Sequence, residues 1–454
     1  MIMNDTAWHQ MSALELGAAI QDGQIDPIDL TEHFLARIDS EDSGHRIYIR
    51  ATADRARAEA AAASARAKAS LRQSPLDGVP MSWKDLTDTA GTETTFGSAI
   101  LRDRVPERDA LLLRRATLAG MICLGKTTLS EFAYSGLGIN PIFGTPANGA
   151  DKEVERVPGG SSSGTAVSVT NGLAPAGIGS DTGGSVRIPA ALNGIVGLKT
   201  SIGVLPLDGI LALSPTFDTI GPLTRDVADA NAIFAVLNQS RPYDLAGASL
   251  QGVRLLKPRD IMFDDLDATV AGAMAKALGR LSNAGADIIE GEVPEFAEAF
   301  ELVAKHGNII SAEASALWRD EVESRGDEMY WGVLSRFQLA NKLSAIDAEA
   351  AHIGLSAIAA RYRARTAGFA ATIHPTCPRI APPIADLEHD PAAYDEANLA
   401  ITRNTRLGNI METCGVTLPC QRPSELPVGL SLMATKNCEG KVLRLARAAE
   451  AALA

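Results

Sequence analysis

The chain has 454 residues, 46% of them hydrophobic and 21% charged, with a formal net charge of −13. That is the composition of a soluble globular protein, and it excludes a disordered or fibrous chain. The acidic balance argues against a broad nucleic-acid-binding surface.

The opening stretch, MIMNDTAWHQMSALELG, has neither a basic n-region nor a long apolar core, so no export signal is expected. No segment reaches the uninterrupted apolar length of a membrane span. Residues 12–70 read as a helical flank. Ser12 is placed to cap SALELGAAIQDG. Asp26 caps DPIDLTEHFLARIDS, with Pro27 at the first helical position, where its missing N–H costs nothing. DRARAEAAAASARAKAS reads as an Ala-rich helix with a charged outer side.

From about residue 76 short apolar runs alternate with helical ones. GVPMSW and GMICLGK read as buried strands, and DALLLRRATLAG between them as a helix ending at Gly120. TAVSVTNGLAPAGIGSDTGGS reads as helix, turn and buried strand. This alternation predicts an α/β domain with a mixed or parallel sheet. Residues 255–370 are more helical and more charged, and are expected to form an insertion or cap over one side. CEGKVLRLARAAEAALA is an amphipathic terminal helix.

Five cysteines (Cys123, Cys377, Cys414, Cys420 and Cys438) include no C-x-x-C pair. They fit reduced, mostly buried thiols in a cytoplasmic protein. The seven histidines show no zinc spacing. Neither a metal nor a cofactor is therefore expected. His374, in HPTCP, reads as part of a Pro-rich loop.

Three stretches carry candidate chemistry. In VPMSWKDLTD, Lys84 leaves a buried strand, where desolvation lowers an amine's pKa. VPGGSSSGTA and GSDTGGSVRIPA each set paired glycines before a serine. Alone, such a pair is most simply a turn. GGSSSGT is not a phosphate loop, because Gly164 stands where that loop needs lysine. No G-x-S-x-G elbow surrounds Ser185, which disfavours a Ser-His-Asp hydrolase. Two glycine-flanked serines and a lysine suit serine nucleophilic catalysis with lysine as the final base. Bringing that lysine from about 10.4 toward neutrality takes roughly three pKa units, or about 4 kcal/mol, within reach of burial.

These residues resemble the amidase signature family. The resemblance rests on PMSWKD, GGSSSGTA and SDTGGSVRIPAALNGIVGLK. Weaker matches run through GKTTLSEFAYSGLGINPIFGTPAN, GPLTRDVAD and LPVGLSLMA, spanning roughly residues 75–450. It implies a single α/β catalytic domain over 71–454, a central mixed β-sheet covered by helices on both faces, with residues 1–70 packed on it. About 255–400 would be its more variable helical region.

The resemblance implies that Ser185 is the acyl-accepting nucleophile, Ser161 the bridging serine and Lys84 the general base. It places oxyanion donors at the N–H groups of Thr182, Gly183, Gly184 and Ser185, and a cis peptide bond at Gly160–Ser161. It points to Ala133, Tyr134 and Gly136 for substrate binding. Asp181 and Arg187 are expected to hold the glycine turn rather than to react. Ser163, Thr165 and Trp83 depart from the common pattern and are expected to alter the pocket, not to abolish activity.

The implied reaction is hydrolysis of a small carboxylic or ureide-type amide to carboxylate and ammonia. The glutaminase subunit of a tRNA-dependent amidotransferase is the alternative, and a non-catalytic binding protein on the same fold the second. The expected partner is a small-molecule amide, with no nucleic acid and no membrane; a homodimer is the candidate assembly. Only 5% of residues are aromatic, which gives no sign of a large hydrophobic tunnel.

Overall fold

Eleven strands among the described residues form one mixed sheet. They are β1 (Tyr48–Ala51), β2 (Pro80–Lys84), β3 (Ile122–Thr127), β4 (Ala176–Ser180), β5 (Val196–Lys199), β6 (Ile220–Thr224), β7 (Arg254–Pro258), β8 (Asp287–Gly291), β9 (Ala371–Pro375), β10 (Cys414–Pro419) and β11 (Gly429–Ala434). Their spatial order is β1-β3-β2-β4-β6-β5-β10-β11-β9-β7-β8. β3, β2 and β4 run parallel, as do β9, β7 and β8, and the remaining pairs are antiparallel. The computed structural model describes residues 5–42, 44–151, 153–340, 342–422 and 425–454. Residues 1–4, the start of the stretch read for an export signal, lie outside the described residues.

Along β2, β3, β4, β5, β6, β9 and β11 every residue is buried whichever face it points to. Both faces of the sheet centre are therefore covered by helices, as a near-continuous apolar strand pattern requires. The helices Ser163–Thr170 and Arg187–Asn193 press on β4 and β5, and Glu439–Leu453 packs on β10 and β11. Among the described residues no helix is long and apolar enough to cross a membrane.

The N-terminal caps form as the sequence predicts. The Ser12 hydroxyl accepts from Glu15 N–H while the Glu15 carboxylate accepts from Ser12 N–H, and Asp26 accepts from Ile28 N–H ahead of Pro27. Such a cap is worth about 1 kcal/mol. The buried Asp229 carboxylate then accepts from the N–H groups of Ala13 and Leu14, fastening the first helix to Val227–Leu237.

Three expectations need correction. The flank 12–70 is not helical throughout: residues 48–51 form edge strand β1, antiparallel to β3. Residues 255–370 are not only a cap, since β7, the helix Ala268–Asn283 and β8 extend the sheet before the helices 295–366 begin. A β-α-β unit ending in a half-exposed edge strand has weak hydrophobic periodicity, which hides it beside longer helices. His374 lies in buried strand β9, with its ring held by the Pro375 carbonyl at 2.9 Å, not in a loop.

Candidate active site

The parallel strands β2 and β4 end side by side, with Trp83 opposite Ile178. In open α/β sheets ligands sit outside the carboxyl ends of such strands. Lys84 closes β2, and Ser180 closes β4 just ahead of the turn 181–185. The helix Ser163–Thr170 can approach because β4 carries glycine at 177 and 179. A Cβ at Gly177 would strike Ser82 and Thr165, and one at Gly179 would strike Ser162. This close approach brings Ser161, at the mouth of that helix, over the end of β2. The Gly160–Ser161 peptide is cis.

Lys84 is 0% exposed, and its Nζ donates to Ser161 Oγ at 2.6 Å and to Ser180 Oγ at 2.8 Å. Burial pulls its pKa down to about 7, against the opposing pull of the Asp218 and Asp181 carboxylates. A neutral fraction is therefore large at physiological pH. Two other lysines are equally buried but differently engaged. Lys126 pairs with Asp85 at 2.7 Å, and Lys199 donates to the carbonyls of Thr200 and Thr413. Of these three, Lys84 alone faces serine hydroxyls.

Ser185 begins the turn into the helix Arg187–Asn193 and is 7% exposed, opening onto a cleft. The Ser185 carbonyl accepts from Ser162 N–H at 3.2 Å, which sets the two serine segments side by side. The sequence-predicted trio is thus brought to one place. Lys84 and Ser161 are in direct contact, whereas Ser185 Oγ forms no hydrogen bond to Ser161 among the described residues.

The turn itself is held by Asp181. Its carboxylate accepts from the N–H groups of Gly184 (2.9 Å) and Val186 (3.2 Å) and from Arg187 Nε and Nη2 (3.0 and 2.9 Å). Burial alone would raise this carboxyl, but the Arg187 guanidinium, aided by Lys199 and Asn409, holds it well below the usual range. Gly184 has φ +129°, and a Cβ there would fall on Thr405 Oγ1; Gly183 faces open space. The N–H groups of Thr182, Gly183 and Ser185 donate to no acceptor among the described residues. The family resemblance puts Gly184 among the oxyanion donors, but its N–H is taken by Asp181, because the same carboxylate that braces the turn must be satisfied within it.

Ala133, Tyr134 and Gly136 all line the cleft, together with Ser185, Thr182 and Gly183. Ala133 sits at φ +55°, and Gly136 leaves room for Thr402. Ser163, Thr165 and Trp83 do not line it. Ser163 and Thr165 turn their hydroxyls to Thr128 O and Thr127 Oγ1, and Trp83 is buried in the core. Their departures from the family pattern are therefore absorbed by packing, not by the pocket.

Several contributors carry nothing in the sequence that singles them out. Ser180, inside the second serine motif, shares Lys84. Asp218, distant in sequence from both motifs, accepts from Thr182 Oγ1 and from the N–H groups of Leu213 and Ser214, and burial lifts its pKa to about 6. Asn398, Thr402 and Arg406 reach the cleft from the helix Pro391–Ile410, and Arg336 from Trp331–Ala340. A four-residue polar spacing at 398, 402 and 406 was the available signal, though solvated helix faces show the same spacing.

A strand-end lysine on a serine, beside a glycine turn with free amides, is an arrangement that can support acyl transfer. Comparison with known proteins agrees. The family model described as Amidase matches residues 29–443. The chain is 34% identical over 385 residues to the 2-amino-5-chloromuconic acid deaminase of Comamonas testosteroni, covering 83% of this chain and 82% of that enzyme. It is 31% identical over 471 residues to a glutamyl-tRNA(Gln) amidotransferase subunit of Symbiobacterium thermophilum, covering 96% and 95%. A crystal structure of an amidase superposes with a TM-score of 0.87 at 29% identity, covering 97% of this chain and 99% of the other. The chain belongs to the amidase family, hydrolases that act on C–N amide bonds.

Proposed function

We propose that the protein hydrolyses a small amide through an acyl-enzyme on Ser185, with Ser161 and Lys84 as its proton relay. The observation that carries this reading is the buried Lys84 amine, 2.6 Å from Ser161 Oγ with its pKa near 7. Neutral Lys84 takes the proton of Ser161 as Ser161 takes that of Ser185, and Ser185 Oγ adds to the amide carbon. The N–H groups of Thr182, Gly183 and Ser185 receive the developing oxyanion; each such donor is worth about 3 kcal/mol in the transition state. The relay returns the proton to the leaving nitrogen, and ammonia departs. Water then repeats the sequence on the acyl-enzyme, giving carboxylate and free Ser185. Apart from that water, every group used belongs to the chain.

The second reading is the glutaminase subunit of an amidotransferase, favoured by the 31% identity to such a subunit over almost the whole chain. Against it, none of the described cleft-lining residues is Asp or Glu, so no carboxylate there pairs with the α-ammonium of glutamine. A purely binding role would leave the Lys84–Ser161 contact without a purpose. The test is ammonia release by purified protein from a panel of small amides and ureide acids, without ATP or tRNA. Turnover of at least one of them faster than glutamine supports the free-standing amidase. Glutamine as the sole substrate, and only with co-purifying subunits, decides for the amidotransferase.

A further inference from the structure

We propose that the amide taken by this cleft carries a carboxylate at its far end, bound by Arg406 with Arg336 beside it. The inference rests on the amidase reading and names its substrate class.

Among the described residues Arg72, Arg115 and Arg280 leave a buried Nε unpaired, but each donates from Nη to backbone carbonyl oxygen. Arg187 is met by the Asp181 carboxylate, the Thr405 carbonyl and the Asn409 amide oxygen. Arg225 donates to the carbonyls of His9, Met11, Val169 and Pro175. Arg406 differs. Its Nε is shut off from solvent and has no hydrogen-bond partner, and its guanidinium forms no ion pair among the described residues. It packs on the Phe300 ring at 5.2 Å, and the residue lines the cleft. Orphaned buried donors are rare, and a cation left that way is costly.

Arg336 adds to the imbalance. It lines the same cleft, donates Nε to the Gly332 carbonyl and reaches one carboxylate, the exposed Asp395, at 3.5 Å. Burial, and then the charge of Arg336, lower the pKa of Arg406. Two arginines thus line a cleft that has no carboxylate among its described lining residues. A planar anion supplied by the substrate satisfies both, since arginine pairs with carboxylate in a fork geometry. Asn398 and Thr402 lie at four-residue steps before Arg406 on one helix, forming a polar rail from Ser135 toward it. The lack of an acidic lining favours an acid amide without an ammonium group, such as the monoamide of a short dicarboxylic acid.

The probes are succinamate and glutaramate, each paired with its uncharged counterpart, butanamide and pentanamide. For the wild-type protein kcat/KM on at least one acid amide exceeds that on its partner by tenfold or more. Arg406→Gln lowers that preference by about 10- to 100-fold, chiefly through KM, as expected for one charge-assisted contact, and Arg406→Lys restores part of it. Hydrolysis of the neutral amides with no preference, or a preference unchanged in Arg406→Gln, overturns the proposal. Calorimetry of glutaramate on Ser185→Ala protein reads the subsite without turnover. Binding weakened by adding Arg406→Gln supports it even where hydrolysis fails, a failure that counts against the amidase reading alone; absence of binding overturns it.

Discussion

Lys84 Nζ lies 2.6 Å from Ser161 Oγ at the closed end of β2, and burial holds the amine near pKa 7. In the proposed relay the neutral amine is the active form, so kcat/KM is expected to rise with pH through about 7 and then level off. Lys84→Ala removes the base and costs about 10²- to 10⁴-fold. Initial rates between pH 5 and 9 check both. A flat profile with near-normal Lys84→Ala activity contradicts the relay.

The same burial costs stability. Folded Lys84 titrates near 7 against its ordinary 10.5, so the unfolded chain binds the extra proton between those values. The penalty is complete below pH 7 and fades as pH rises toward 10.5. Each pKa unit corresponds to about 1.4 kcal/mol. Lys84→Met therefore melts higher than wild type at pH 7, by a margin that shrinks toward pH 10. Paired thermal melts at the two pH values provide the check, and a lower melting point at pH 7 contradicts it.

Asp218 pulls the pKa of Lys84 upward. Asp218→Asn removes that charge, so the rising limb of the pH–rate curve moves to lower pH. It also loosens Thr182, whose hydroxyl donates to Asp218, so kcat falls. An unshifted limb in a folded variant argues that Asp218 does not sense Lys84.

The two glycines before Ser185 are not equivalent. Gly184→Ala meets φ +129° and Thr405 Oγ1, while Gly183→Ala meets nothing. Denaturant melts should show a loss of about 1–3 kcal/mol for the first, the usual cost of a strained backbone position, and little change for the second. Equal losses would mean that the turn is not shaped as described.

Lys84, Ser161 and Ser185 are legible in the sequence because each sits in a short segment whose local chemistry is unusual. The helix caps at Ser12 and Asp26 are legible for a related reason: the signal and its effect lie within a few residues. The placement of Asp218 beside Thr182 and of Arg406 on the cleft is not, since it arises from packing between segments distant in sequence. β1 and β8 are short, half-exposed edge strands, and such strands lack the apolar run that reveals β2 and β3. The Gly184 N–H departs from its expected role because glycine content shows where a carbonyl can approach, not which amide a neighbouring carboxylate has already claimed.

The acyl-enzyme on Ser185 is tested most directly by covalent trapping. Wild-type protein is treated with an acylating or fluorophosphonate inhibitor, and the intact mass and labelled peptide are read. One adduct per chain is expected, on Ser185, absent from Ser185→Ala and much slower to form in Lys84→Ala. An adduct on another residue, or undiminished labelling of Ser185→Ala, would contradict a Ser185 nucleophile.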